Sequence, residues 1–416
     1  MTDVLRRSQL AAYGVLGLPL AFVALPIYVH VPQLYSTAFG MSLATVGAVL
    51  LIARIFDAVI DPVIGALADR FAHRKLSILL AVPALMCGLW GLLRPLPEAP
   101  GVLWLVSMLM LVYLGYSLAM VNHHAWGAEL SMDIGERTRI TASREGFALL
   151  GVVIASVLPG LISSVPREGL AQLPVIFAGL LLVAAFVALR FTPSPMPVIA
   201  RAVDGPRAWA GPLRQARFRA LLGVFAVSGI AAAIPASLVL FFVDDVLQAS
   251  NHAGVFLAIY FLSAGLGLPV WVALARRIGR LQAWGWAMLL AVFAFVWAAT
   301  LGAGQLWAFG VICVLSGSAL GADLALPPSV LADVIAGDAQ AGAGACFGWW
   351  NFVAKLNLAL AAGLSLPALE WLGYAPGSRE AGGLLALSMT YAVLPAVLKL
   401  GAAFCLWRVR HRIVEV

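Results

Sequence analysis

The sequence predicts an all-α membrane protein with twelve transmembrane helices. Of its 416 residues, 62% are apolar and 11% are charged, whereas a soluble domain carries about 25% charged residues. The mean hydropathy is +0.98. Apolar stretches of about 20 residues, long enough to cross a bilayer, recur along the whole chain.

These stretches define twelve spans in two sets of six. A polar segment at 192–217, which contains five prolines and four arginines, follows the sixth span. We interpret it as a cytoplasmic linker between an N-terminal bundle, 1–191, and a C-terminal bundle, 218–416. The spans are 10–36, 42–68, 76–94, 101–127, 141–164, 172–191, 218–243, 252–275, 281–302, 306–327, 341–371 and 382–407.

The loops differ in their content of Lys and Arg. If the N-terminus is cytoplasmic, 19 of the 26 Lys and Arg residues lie on the cytoplasmic side and three lie on the other. This bias predicts that both termini are cytoplasmic. We expect the membrane to be a bacterial inner (plasma) membrane. The bias also accounts for the net charge of +7, so we expect the lipid bilayer and not nucleic acid as a partner.

An internal repeat relates the two halves. Residues 62–70 align without gaps on residues 269–277, an offset of 207 that places the second span on the eighth. Parallel repeats of six spans are typical of major-facilitator transporters, whose binding site lies near the membrane midplane between the halves. We therefore expect the major-facilitator fold, with two pseudo-symmetric six-helix bundles.

The second span contains three charged residues on one helical face, because Arg54, Asp57 and Asp61 stand at i, i+3 and i+7. A charge at membrane depth costs about 2.5 to 3.5 kcal/mol on insertion scales and often marks an ion or substrate path. Two carboxylates one turn apart repel each other when ionised, which favours binding of H⁺ or Na⁺. The alternative is a buried ion network that only fixes helix packing.

The stretch from Arg54 to Pro62 resembles the helix 2 signature of the glycoside, pentoside and hexuronide:cation symporters, the melibiose permease-like branch of the major facilitator superfamily. Further matches cover nearly the whole chain in order, at 65–75, 126–129, 136–144, 326–333 and 347–355. The resemblance implies symport of a small organic solute, such as a sugar or glycoside, with Na⁺ or H⁺. It implies a transporter and not an enzyme, without a cofactor beyond the coupling ion.

The resemblance also implies roles for individual residues. Asp57 and Asp61 match the two cation-coordinating carboxylates, and they are the Na⁺ ligands if sodium is the coupling ion. Lys355 matches a lysine near that cation. Arg54 and Lys355 together balance the two negative charges, and we hypothesise that Lys355 occupies the carboxylates when the cation is absent.

Six residues are candidate substrate contacts. Arg144 and Trp126 match positions near the family's sugar site, but the acids of the family's first and fourth helices are missing here. The histidines of the fourth span are either substrate or proton contacts or packed side chains. Asp323 either relays protons or caps the end of its helix. The six are Asn122, His123, Trp126, Arg144, Asp323 and Asn351.

A charged group at the cytoplasmic edge resembles the general motif of the superfamily and implies a gating role. Its members are Asp69, Arg70, Arg74, Lys75, Glu129 and Arg137.

Other functions remain open from the sequence. A lysophospholipid or other amphiphile carrier on the same fold would suit the apolar first span, and a non-transporting membrane sensor is a further alternative. An enzyme is a weaker alternative, because no nucleophile and general base stand at a spacing typical of a catalytic pair. No P-loop is present, which argues against ATP as the energy source. We expect the protein to function as a monomer.

Overall fold

The structure is a computed structural model that describes residues 5–71, 73–96, 101–131, 134–163, 165–194, 211–336 and 343–413. Within these ranges the regular elements are all helical, and twelve helices are long and apolar enough to cross a membrane. The predicted number of spans is therefore confirmed for the described residues.

The first six helices belong to the N-terminal half. Their apolar side chains face either one another or the outside, as expected where hydrocarbon surrounds the protein. The helices are α1 (Arg7–Thr37), α2 (Leu43–Phe71), α3 (Arg74–Leu93), α4 (Val102–Glu129), α5 (Ile134–Ile162) and α6 (Pro166–Phe191).

The other six helices belong to the C-terminal half. Here α7 runs directly into a π-helical turn at Phe242–Val246, and a second π-helical turn at Met389–Val393 interrupts α12. The helices are α7 (Ala216–Phe241), α8 (Ala253–Ile278), α9 (Arg280–Ala298), α10 (Leu306–Ala336), α11 (Ala343–Trp371) and α12 (Ala381–Ser388 and Leu394–Ile413).

The chain divides into two compact units. The first contains residues 1–40 and 52–201, and the second contains residues 41–51 and 202–416. The main boundary thus falls inside the predicted linker, while the first turns of α2 group with the second unit.

Several helices extend beyond their predicted ends. α5 begins at Ile134 although its apolar stretch begins at 141, and α10 continues through Pro327 and Pro328 to Ala336. Backbone hydrogen bonding continues into the polar ends of these helices, and hydropathy does not indicate helical residues outside the apolar stretch. Prolines are tolerated in membrane helices because neighbouring groups satisfy the freed carbonyls.

Glycines allow close approach of helices in each unit. A Cβ on Gly151 of α5 would lie 2.1 Å from the carbonyl oxygen of Leu18 on α1. A Cβ on Gly317 of α10 would lie 2.2 Å from the carbonyl oxygen of Tyr260 on α8. Small residues at such crossings are the usual means by which membrane helices pack, and here they fix α1 on α5 and α8 on α10.

Candidate functional site

Arg54 and Asp57 form a buried ion pair on α2. Arg54 Nη1 lies 2.8 Å from Asp57 Oδ2, and the two side chains are 4% and 0% exposed. Ser117 Oγ on α4 donates a hydrogen bond to Asp57 Oδ1 at 2.6 Å. Both carboxylate oxygens of Asp57 are therefore bonded, and the guanidinium of Arg54 offsets part of the cost of burying its charge.

Two tyrosine rings enclose the guanidinium of Arg54. Its central carbon lies 4.2 Å from the ring centroid of Tyr28 and 4.3 Å from that of Tyr113, close enough for cation–π attraction. Tyr28 belongs to a π-helical turn of α1, Pro26–His30, and such turns are frequent at functional sites. We call these residues the Arg54 clamp: Tyr28, Arg54, Asp57, Tyr113 and Ser117.

Asp61 follows Asp57 by one turn of α2, on the same face. Asp61 is partly exposed, whereas Asp57 is fully buried. The two carboxylates that the sequence treats as equivalent therefore have different surroundings. Of the two, Asp61 is the more accessible to an ion.

Two further predicted residues lie on α11 in the second unit. Lys355 is partly buried, and Asn351, one turn earlier, is exposed. Their predicted roles beside the cation and the substrate stay predictions.

Within the described residues, no group of three or more His, Cys, Asp and Glu side chains could hold a metal ion. Hard cations such as Na⁺ also accept oxygen ligands from hydroxyl groups, carbonyl groups and water.

The predicted substrate residues of α4 are buried within the first unit. His123 Nε2 lies 3.0 Å from the carbonyl oxygen of Tyr13, and the Tyr13 hydroxyl donates to the carbonyl oxygen of His123 at 2.9 Å. Trp126 Nε1 donates to the carbonyl oxygen of Pro193 at 2.9 Å. Asn122 Nδ2 donates within its own helix at 2.8 Å. These bonds tie α4 to α1 and to the segment after α6, and substrate contact stays a prediction.

Arg144 lies on α5 with a side chain that is 16% exposed. It forms an ion pair with the neighbouring Glu145, with Nη2 and Oε1 2.7 Å apart. Its backbone lies against α1, since a Cβ on Gly17 would lie 2.7 Å from the carbonyl oxygen of Arg144. The predicted sugar-site arginine thus stands at the packed α1–α5 crossing.

The structure pairs Asp323 with a residue to which the sequence assigns no role. Lys399 Nζ on α12 lies 2.5 Å from Asp323 Oδ2, and Trp284 Nε1 on α9 donates to Oδ1 at 2.8 Å. Because α10 continues through the two prolines, the helix does not end beside Asp323. The available cue was that Asp323 and Lys399 both stand inside apolar spans, where an uncompensated charge is costly.

Three of the predicted gating residues make contacts within the first unit. Arg74 Nη2 lies 2.8 Å from Glu129 Oε1, and Lys75 Nζ donates to the carbonyl oxygens of Leu189 and Thr192 at 3.1 and 3.0 Å. These contacts join the start of α3 to the ends of α4 and α6. The other three side chains, Asp69, Arg70 and Arg137, lie outside the described part of the structure.

Residues 10–411 match the family described as MFS/sugar transport protein. An uncharacterized symporter of Synechocystis sp., sll1374, is 28% identical over an alignment of 146 positions that covers 30% of this chain and 25% of that protein. The chain thus spans about a quarter of the length of this relative.

The fold is similar to two solved transporter structures. The nucleoside transporter NupG has a TM-score of 0.75 at 14% identity, covering 97% of this chain and 99% of that one. A bacterial homolog of the human lysosomal transporter Spinster has a TM-score of 0.72 at 16% identity, covering 96% and 97%. Together with the family match, these similarities confirm the predicted twelve-helix major-facilitator fold.

Proposed function

Because this chain belongs to the family of MFS/sugar transport proteins, we propose that it is a secondary active symporter that takes up a small organic solute together with Na⁺ or H⁺. Solute and ion enter by alternating access. Within the superfamily we place it in the branch of glycoside, pentoside and hexuronide:cation symporters, on the basis of the charged face of α2.

The observation that carries the proposal is the Arg54 clamp beside Asp61. The clamp neutralises Asp57 with a guanidinium and a hydroxyl, so it adds little net charge to the site. Asp61, one turn away and more exposed, then supplies the carboxylate whose charge an incoming cation balances. In this mechanism Asp57 positions the site and Asp61 exchanges the ion.

Lys355 provides the competing charge in the proposed cycle. We propose that its ammonium occupies the carboxylates of α2 when no coupling ion is bound, and that the ion displaces it. Such competition couples binding of the ion to release of Lys355. A cation that binds one conformational state of the protein better than another shifts the balance between those states.

The proposed substrate class is a small polar solute such as a sugar or glycoside. Asn122, His123, Trp126 and Arg144 are the proposed contacts, although the first three are fully buried and bonded to backbone carbonyl groups. Substrate entry would therefore require these side chains to exchange at least part of those bonds for bonds to the solute. The neutral amide of Asn122, where the family has an acid, favours a solute other than melibiose.

We further propose that the protein functions as a monomer in a bacterial inner membrane, with both termini in the cytoplasm. The excess of Lys and Arg in one set of loops supports this orientation.

The test is transport into proteoliposomes that contain the purified full-length protein. Labelled monosaccharides, disaccharides, nucleosides and a lysophospholipid are supplied with an inward Na⁺ gradient, an inward proton gradient or neither. We expect one polar solute to accumulate when the correct gradient is present. The Asp61→Asn variant should exchange that solute across the membrane without accumulating it, and Glu380→Gln, an acid-to-amide change at an exposed position, should behave like the wild type.

Other outcomes would contradict the proposal at defined points. Cation-dependent accumulation by Asp61→Asn would remove Asp61 from the ion site. Accumulation of the lysophospholipid alone would make the protein an amphiphile carrier. Absence of any ion-dependent flux, together with the absence of a ligand-induced thermal shift, would indicate a non-transporting sensor.

A further inference from the structure

The second unit contains its own buried ion pair, Asp323 on α10 and Lys399 on α12. The nitrogen and oxygen atoms are 2.5 Å apart, and the side chains are 18% and 6% exposed. Both residues lie inside membrane spans, where ionisable groups are costly and usually serve ion or substrate paths.

Lys399 and Asp323 would keep different numbers of hydrogen bonds if the ion pair separated. Lys399 Nζ also donates to Ser228 Oγ at 2.8 Å and to the Ser228 carbonyl oxygen at 3.4 Å. It therefore keeps two acceptors on α7 if it leaves Asp323. Among the described residues, Asp323 would keep the hydrogen bond from Trp284 as its remaining bond, and a buried carboxylate without a counter-charge is strongly destabilised unless it binds a proton.

A small cavity reaches the pair. Its volume is about 20 Å³, and its polar lining residues are Asp323, Lys399, Tyr260 and Ser316. A volume of this size holds about one water molecule, which requires two to four polar partners. The cavity can therefore admit a water molecule or a proton but is too small for an organic solute.

The surroundings contain no competing acid among the described residues. Residues of α7, α8, α9 and α12 line the cavity around the pair, and Tyr260 is the further titratable side chain in that lining. Cys313 and Tyr391 are close enough to Tyr260 to interact with it electrostatically. The other charged residues of the enclosing helices stand at helix ends: Arg217, Arg219, Arg276, Arg277, Arg280, Arg408, Arg410 and Arg412.

We propose that Asp323 is a proton-binding site, separate from the carboxylates of α2, with Lys399 as its internal counter-ion. The proton arrives through the cavity and binds Asp323 Oδ2 as the Lys399 ammonium, which keeps its own protons, withdraws to Ser228. This deepens the proposed function, on which it rests, by assigning a second coupling event to the C-terminal half. Transport then depends on pH even when the ion site at Asp61 is saturated.

Proton binding can be measured without a substrate, by infrared difference spectroscopy of the purified full-length protein between weakly acidic and weakly alkaline buffer. The wild type should show a protonated-carboxyl band that disappears at alkaline pH and that shifts when isotopically labelled aspartate is incorporated. Asp323→Asn should lack one component of that band, whereas Glu380→Gln should retain all of them. Lys399→Gln should keep Asp323 protonated in both buffers and so remove the same component, and Lys399→Arg should restore it.

A spectrum of Asp323→Asn identical to that of the wild type would overturn the proposal. If that variant does not fold, Asp323→Glu replaces it. A component that moves to the glutamate frequency supports the assignment, and an unmoved spectrum refutes it. In proteoliposomes, the pH dependence of solute exchange, at least tenfold in the wild type, should be lost in Asp323→Asn and retained in Asp61→Asn. A wild type that transports nothing but still binds the proton would contradict the proposed transport and leave the proton site standing.

Discussion

The Arg54 clamp should show strong coupling between its two charges. Arg54→Gln removes the guanidinium that balances the buried carboxylate of Asp57 and leaves the hydrogen bond from the hydroxyl of Ser117 in place. Removal of one member of a buried pair costs about 3–5 kcal/mol, and the lost contacts with the two rings add about 0.5–2 kcal/mol each at desolvated sites. Asp57→Asn leaves Arg54 between the rings without the carboxylate that forms its ion pair. In the double variant neither charge remains.

We therefore expect the double variant to be more stable than the sum of the two single losses predicts, by about 2–3 kcal/mol, which is the upper range for contacting residues. The assay is thermal unfolding of the purified protein in detergent, followed by tryptophan fluorescence and compared as melting temperatures at one scan rate. The control is Arg139→Gln, which disrupts another i, i+3 ion pair whose arginine is 43% exposed and should cost at most about 1 kcal/mol. If the double variant loses as much stability as the two single variants together, or more, the pair is not energetically coupled.

Three further predictions concern packing and hydrogen bonding. Gly151→Ala should reduce the free energy of unfolding by about 1–3 kcal/mol and so lower the melting temperature, because the added Cβ would meet a backbone carbonyl of α1. Gly146→Ala, with open space around it, should be neutral. Equal effects of the two substitutions would contradict the close crossing of α1 and α5. Ser117→Ala should cost about 1–3 kcal/mol, measured by the same unfolding assay, because a buried carboxylate oxygen loses a donor. An unchanged melting temperature would argue against that bond. Burial and the hydrogen bond to Asp245 raise the pKa of Tyr374, so the folded state holds the phenol proton more tightly and stability should fall as the pH rises above about 10. Tyr374→Phe should flatten that decline in pH-dependent unfolding, and an unchanged slope would refute the assignment.

The number and approximate positions of the helices could be predicted because hydrocarbon imposes a simple requirement. A span needs about 20 apolar residues with all backbone groups bonded internally, and this requirement is met locally along the chain. Helix ends such as those of α5 and α10 could not be predicted, because there the backbone continues to hydrogen-bond after the apolar stretch has ended.

The charged residues of α2 could be singled out from the sequence because charge inside an apolar span is rare. Periodicity placed Arg54, Asp57 and Asp61 on one face, but it could not distinguish the two carboxylates. That difference comes from Ser117 and the two tyrosines, which belong to other helices.

The sequence by itself determined a polytopic helical membrane protein with a charged face on its second span, since hydropathy and helical periodicity depend on neighbours along the chain. Tertiary structure alone decided which charges compensate one another. The pairing of Asp323 with Lys399 joins residues 76 positions apart, and the enclosure of Arg54 draws on three helices. Such partners are chosen by helix packing, because a charge in a low-dielectric interior is stable only where the fold brings its counter-charge within a few ångströms.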